Sequence, residues 1–153
     1  MKFEFSAGGI VYKSQKSKVK SQKDDKIMIL VSQHSQHHGW VFPKGLIGDK
    51  EEFKGQTKEE TAIREVEEET GAKGKIIKPL TPVTYWYVFR EEKIKKTVYY
   101  FIMEYMGGDI TKHDKEMENV EWLPVDEVEK RLTYKSDKKV WKEAEKQMYL
   151  SSP

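Results

Sequence analysis

The segment Arg64-Glu65-Val66-Glu67-Glu68-Glu69-Thr70-Gly71 constrains this chain most, because it sets four glutamates into one short run with helical patterning. Residues three and four apart share a helix face, so Glu65, Glu68 and Glu69 project together over about 100° of arc. Like charges at that spacing repel by roughly 0.2–0.5 kcal/mol per pair in an isolated helix, so the cluster calls for a cation. Carboxylate oxygens suit hard divalent ions, magnesium first and manganese as a substitute. Ala62, Ile63, Val66 and Thr70 form the apolar stripe expected of the same helix, and Glu69 falls beside it, where a carboxylate is partly desolvated. Glu60 and Glu67 fall on the far side, facing solvent. The helix has legible ends: Thr57 followed by Glu60 makes a capping box, and Gly71 closes the C-terminus in the left-handed conformation.

Strand patterning surrounds this helix. Phe3 to Tyr12 reads as a strand with a glycine pair inside it, a place where other backbone approaches closely or the strand bulges. Residues 14–26 are polar and lysine-rich and read as a hairpin tip, with a lure for polyphosphate or RNA as the functional alternative. Ile27 to Val31 is an apolar run typical of a buried strand. Past the helix, Lys75 to Leu80 reads as a strand, and Val83 to Arg90 with Lys95 to Met106 as a long hairpin. Gly107-Gly108-Asp109 marks a turn, and Val120 to Leu123 a short strand ending at Pro124. Two helices follow, about Asp126 to Leu132 and Asp137 to Tyr149, the second capped by Ser136. The pattern predicts an α+β sandwich in one domain over residues 1–153.

The 153 residues carry 28 basic and 26 acidic side chains, a balance that gives no mandate for nucleic acid. Without cysteine, disulfides and thiolate metal ligands are excluded, which fits a reducing cytoplasm. The first residues lack the apolar stretch of a signal peptide, and no run approaches the ~20 apolar residues of a membrane span, so a cytoplasmic protein without membrane partners is expected.

Arg64, Glu65, Val66, Glu68, Glu69 and Gly71 match the second half of the pattern G-x5-E-x7-R-E-U-x-E-E-x-G-U, with U aliphatic, and Ala72 stands at the last aliphatic position. The chain therefore resembles the Nudix hydrolases. Phe5-Ser6-Ala7-Gly8-Gly9-Ile10 is similar to the family's first strand, and Trp40-Val41-Phe42-Pro43-Lys44-Gly45 to the approach to the box. Tyr85-Trp86-Tyr87, Lys96 to Phe101 and Leu132 to Asp137 resemble the bacterial diadenosine tetraphosphate hydrolases. The resemblance implies a Nudix-type α/β/α sandwich with a mixed central sheet, one catalytic helix and C-terminal helices. It also implies a Mg2+-dependent (or Mn2+-dependent) hydrolysis of a nucleotide substrate. Glu65, Glu68 and Glu69 are then catalytic metal ligands, and Glu116 aligns with the additional acid used beyond the box, with Asp114 and Glu118 as close competitors. Arg64 orients the glutamate beside it.

The first half of the box departs from the pattern. Ten residues separate Gly45 from Gln56 where five are expected, and Gln56 stands where the first glutamate should be; Glu51 and Glu52, inside the insertion, are the acids able to reach back. Lys44, framed by Pro43 and Gly45, is expected to bind phosphate, and Lys96 is a second candidate. His34, His37 and His38 share a loop and are expected to bind phosphate when protonated, His38 first; zinc is less expected there because neither cysteine nor regular ligand spacing accompanies them. Tyr87 and Tyr134 are expected to sandwich a nucleobase, hydrophobic packing being the competing role. Diadenosine tetraphosphate is the substrate the resemblance favours, in a monomer or weak dimer. An RNA 5′ end or another nucleoside diphosphate-linked compound is the second choice, and a non-catalytic nucleotide-binding module the reading of another class.

Overall fold

A computed structural model describes residues 1–15, 26–48 and 50–151. Its centre is β1 (Lys2–Gln15), which pairs antiparallel with β2 (Lys26–His34) and parallel with β7 (Glu92–Gly108). Beyond β2 lie β3 (Trp40–Val41) and β8 (Met117–Pro124); beyond β7 lie β5 (Ala72–Pro79) and β6 (Val83–Phe89). The result is one mixed eight-stranded sheet. Residues 14, 15 and 26, expected in a loop tip, belong to the strands, with Gln15 opposite Lys26. The rest of that tip, 16–25, lies outside the described residues.

Alternation at period two sorts the sheet's side chains onto two faces. Ala7 and Val11 of β1, Leu30 of β2, and Phe101 and Met103 of β7 pack with Ala62 and Val66 of α1 (Lys58–Thr70) on one side. Ile10, Ile29, Val31, Tyr100 and Ile102 pack on the other, against Val128 of α2 (Val125–Arg131) and Val140 and Trp141 of α3 (Lys135–Ser151). The expected α/β/α sandwich is the observed architecture. Burying each such large apolar side chain stabilises the fold by about 1.5–3 kcal/mol, and Trp141, 1% exposed, is among the largest. Among the described residues no helix is long and apolar enough to cross a membrane.

Several boundaries differ from the sequence reading. β7 runs through Gly107 and Gly108, and the chain reverses only afterwards, in a 3-10 turn at Ile110–Lys112 where Asp109 accepts from the Thr111 amide. α3 begins at Lys135, so Ser136 lies within its first turn rather than capping it. Ile63 is 39% exposed, while Thr61 is buried in its place, because the buried face of α1 runs through 61, 62, 65, 66, 69 and 70 and leaves Ile63 one residue past its edge.

The glycine pair of β1 has a structural reason. β4 (Lys44–Leu46) crosses β1 so closely that a Cβ on Gly8 would lie 2.1 Å from the Pro43 carbonyl oxygen. Gly9 N–H donates to that same oxygen at 3.2 Å. The close crossing sets Lys44 at the end of α1's acidic face.

Candidate active site

α1 presents its acids from a well-fixed frame. The Thr57 hydroxyl accepts from Glu60 N–H, the Glu60 carboxylate accepts from Thr57 N–H, and Gly71 takes φ 81° at the other end, all as the sequence implied. Glu65 and Glu69 face inward, 8% and 6% exposed, while Glu68 stands at the rim. Arg64 Nη1 donates to Glu65 Oε1 at 2.8 Å and to Glu68 at 3.2 Å. Glu69 Oε2 accepts from the Lys44 amide at 3.2 Å. Gly45 is required opposite: a Cβ there would lie 2.0 Å from the carboxyl carbon of Glu65.

Burial pushes the Glu69 carboxyl up to about 8; the Lys44 ammonium and amide pull the other way, and the charges of Glu65 and Asp114 push further up. Asp114 arrives on the loop before β8. Its amide donates to the Glu68 carbonyl at 3.2 Å and its Oδ1 accepts from Glu116 N–H at 3.1 Å, so the loop is stapled to the end of α1. Burial also raises the Asp114 carboxyl, with Glu68 adding to the shift. Glu65, Glu68, Glu69, Asp114 and Glu116 all line one cavity of about 460 Å³.

The residues fit a hard divalent ion. The donors are oxygens only, and like charges crowd a desolvated carboxyl that a cation would relieve. Among the described residues no three acids or histidines converge into a ready coordination shell; Arg64 holds Glu65 and Glu68 in their present positions.

A second, mostly apolar cavity of about 570 Å³ adjoins the first and shares Lys44, Lys96, Tyr85 and His37 as walls. Tyr87 and Tyr134 line it from β6 and from the residue before α3. The Tyr87 hydroxyl donates to Glu4, and burial, followed by the hydrogen bond and then the charge of Glu4, raises its pKa to about 12. The Tyr134 hydroxyl bonds to His37 Nδ1 at 2.9 Å. Since Gly39 N–H donates to that same nitrogen at 3.0 Å, neutral His37 carries its proton on Nε2. Burial, with His34, Lys44 and His38 nearby, lowers the His37 pKa and favours this neutral form.

His38 stands elsewhere. At φ 61° its ring turns out to Glu118, with Nδ1 2.6 Å from Oε1, and His34 and His37 line the acidic cavity in its stead. That pair also removes Glu118 from the acids around the cavity.

Residues 11–144 match the NUDIX domain family. The chain belongs to the Nudix family. Over 139 residues it is 33% identical to mutator protein MutT4 of Mycobacterium tuberculosis, covering 90% of this chain and 52% of that protein. It is 32% identical over 114 residues to the 8-oxo-(d)GTP phosphatase of Mycolicibacterium smegmatis, covering 74% of this chain and 32% of that one. The chain thus spans about half the length of the first relative and a third of the second. In structure it is similar to a C. elegans Ap4A hydrolase in a binary complex, at a TM-score of 0.71 and 22% identity, covering 95% of this chain and 98% of that one.

The altered half of the Nudix box is built around Arg64. Gln56 Oε1 accepts from Arg64 Nε at 3.0 Å, while Nη2 is buried with no hydrogen-bond partner among the described residues. A carboxylate at position 56 has two acceptor oxygens for the guanidinium; the amide of Gln56 has one. The inserted segment compensates with a ring. Its short 3-10 turn, Glu51–Phe53, lays Phe53 over the guanidinium with Cζ 3.7 Å from the ring centre. Glu51 pairs with Lys54 at 3.0 Å, and both it and Glu52 are exposed, so neither reaches back to the acidic cavity. Phe53, Lys50 and Asp137 are lining residues that the sequence did not single out, whereas His37 was among the loop histidines expected at phosphate. Only Phe53 left a signal, as the one aromatic in the insertion.

Proposed function

We propose that this Nudix protein hydrolyses a phosphoanhydride of dinucleoside polyphosphates such as diadenosine tetraphosphate, releasing a nucleoside triphosphate and a monophosphate. One observation carries the reading: the acidic cavity and the aromatic cavity share Lys44, Lys96 and Tyr85, so a base seat opens directly onto an acid-lined phosphate seat. Glu65, Glu68, Glu69 and Glu116 would hold Mg2+, or Mn2+ in its place, with Asp114 beside them. A divalent ion bound there screens phosphate charge and lowers the pKa of water.

The chain's own residues do the rest. Lys44 and Lys96 present ammonium groups to the polyphosphate between the two seats, and burial lowers the Lys96 pKa, so a bound anion favours its charged form. Tyr87 and Tyr134 stack on the base, worth about 1–3 kcal/mol. Arg64 positions Glu65 and Glu68. Neutral His37 fixes the Tyr134 hydroxyl through Nδ1 and keeps an Nε2–H donor.

Two other readings have support. The name of one relative, an 8-oxo-(d)GTP phosphatase, favours a nucleoside triphosphate as substrate, and Gln56 favours a nucleotide-binding module without turnover. Chromatography of products formed from diadenosine tetraphosphate and from GTP, with and without magnesium, separates the three. Magnesium-dependent ATP plus AMP supports the proposal; turnover of the triphosphate alone, or binding alone, selects one of the others.

A further inference from the structure

Asp137 is a carboxyl in the wall of the apolar cavity, 3% exposed, in company with Tyr85, Tyr87, Tyr100 and Tyr134. It accepts from Phe42 N–H at 3.3 Å and from the Tyr100 hydroxyl at 3.4 Å. Both bonds fall on Oδ1 and are long for hydrogen bonds, and the carboxylate also accepts from its own backbone N–H. Among the described residues it has no ion-pair partner. Burying an acid without an ion pair costs stability, and the amide of an asparagine accepts from Phe42 N–H equally well. The acidic site makes no use of Asp137.

An ionised carboxylate only accepts hydrogen bonds. Guanine offers two adjacent donors on its Watson–Crick edge, N1–H and the N2 amine, whereas adenine offers one amine beside the N1 lone pair. We propose that Asp137 is a specificity-determining residue that reads the Watson–Crick edge of the base held by Tyr87 and Tyr134, and selects guanine over adenine. The inference rests on reading this cavity as the base seat, and it changes the preferred base within the proposed substrate class. Guanine's two donors would form charge-assisted bonds to this carboxylate, and such bonds give a preference on the order of 10–100-fold. Adenine in the same pose sets a lone pair against the carboxylate. Burial, opposed by Lys44 and by the donors Phe42 N–H, Tyr100 O–H and Asp137 N–H, raises the carboxyl's pKa, in keeping with a group that a donor-rich ligand would relieve.

Two measurements on the full chain decide it: calorimetric affinities for GMP, IMP and AMP, and kcat/KM for diguanosine and diadenosine tetraphosphate. The wild type should bind in the order GMP, IMP, AMP, since inosine keeps N1–H and lacks the amine. That order needs no variant and stands even if substitution at 137 prevents folding. Asp137→Asn should shrink the guanine-to-adenine ratio to within about threefold by weakening guanine. Equal affinity for GMP and AMP, binding of neither, or an Asp137→Asn variant that weakens all bases alike would overturn the inference and leave a capping role for Asp137. A protein that turns over neither dinucleotide yet shows the Asp137-dependent order would overturn the hydrolase reading and keep this one.

Discussion

Glu69 shows how one residue's surroundings separate it from chemically identical neighbours. Glu67, two positions earlier, is exposed on the opposite side of α1. Glu69→Gln should lower kcat by on the order of 10²–10³ with little change in melting temperature, as expected when stabilisation of transition-state charge is lost. Glu67→Gln should leave kcat unchanged, and equal effects in steady-state assays would remove the helix-face basis for the site. Asp137 supplies a pH test. Its folded pKa lies above the ordinary 3.8, with burial the main cause. A raised carboxyl contributes stability below its unfolded pKa and loses it as pH rises through the folded value. Asp137→Asn should therefore gain melting temperature relative to the wild type as pH climbs from about 3.8 toward neutrality. A difference that stays constant across that window would contradict the assignment.

Among the elements, α1 was the most legible in sequence because its signals are local. The capping box, the left-handed glycine and the acid spacing all lie within fifteen residues and were found where the pattern put them. Thr57→Ala should cost about 1 kcal/mol in urea denaturation, through loss of that cap. β3 and β4 were not legible as strands. Trp40–Val41 and Lys44–Leu46 are too short to show periodicity, and their pairing depends on distant partners, Ser32 and Gln33 for one and Ser6 to Gly8 for the other. Phe53 over Arg64 escaped for a like reason, since nothing local ties a ring in an insertion to an arginine eleven residues on. The histidine loop misled at His38, where a left-handed φ turns the ring out to Glu118. On β6 and just before α3, Tyr87→Ala and Tyr134→Ala should each raise KM for diadenosine tetraphosphate about tenfold or more while kcat changes less. Unchanged KM in both would make those rings bystanders.

For the whole molecule, the sandwich was readable from apolar periodicity and the family resemblance, whereas the junction of two cavities belongs to tertiary structure alone. Lys44 sits at that junction only because Gly8 lets β4 cross β1, and the acidic seat exists only because Gly45 leaves room for Glu65. Gln56 is the residue that most tests whether this assembly works as an enzyme. It seats Arg64 through one hydrogen bond and cannot supply charge, so in the proposed reaction the chemistry would fall to Glu65, Glu68, Glu69 and Glu116. Gln56→Glu should change kcat by less than about tenfold if the position mainly supports Arg64. The most direct measurement follows magnesium-dependent cleavage of diadenosine tetraphosphate by the wild type and by Gln56→Glu, side by side. The account predicts ATP and AMP from both, and loss of both products when magnesium is chelated. A wild type inert toward every polyphosphate offered, with activity appearing only in Gln56→Glu, would contradict it and make the natural protein a binding module.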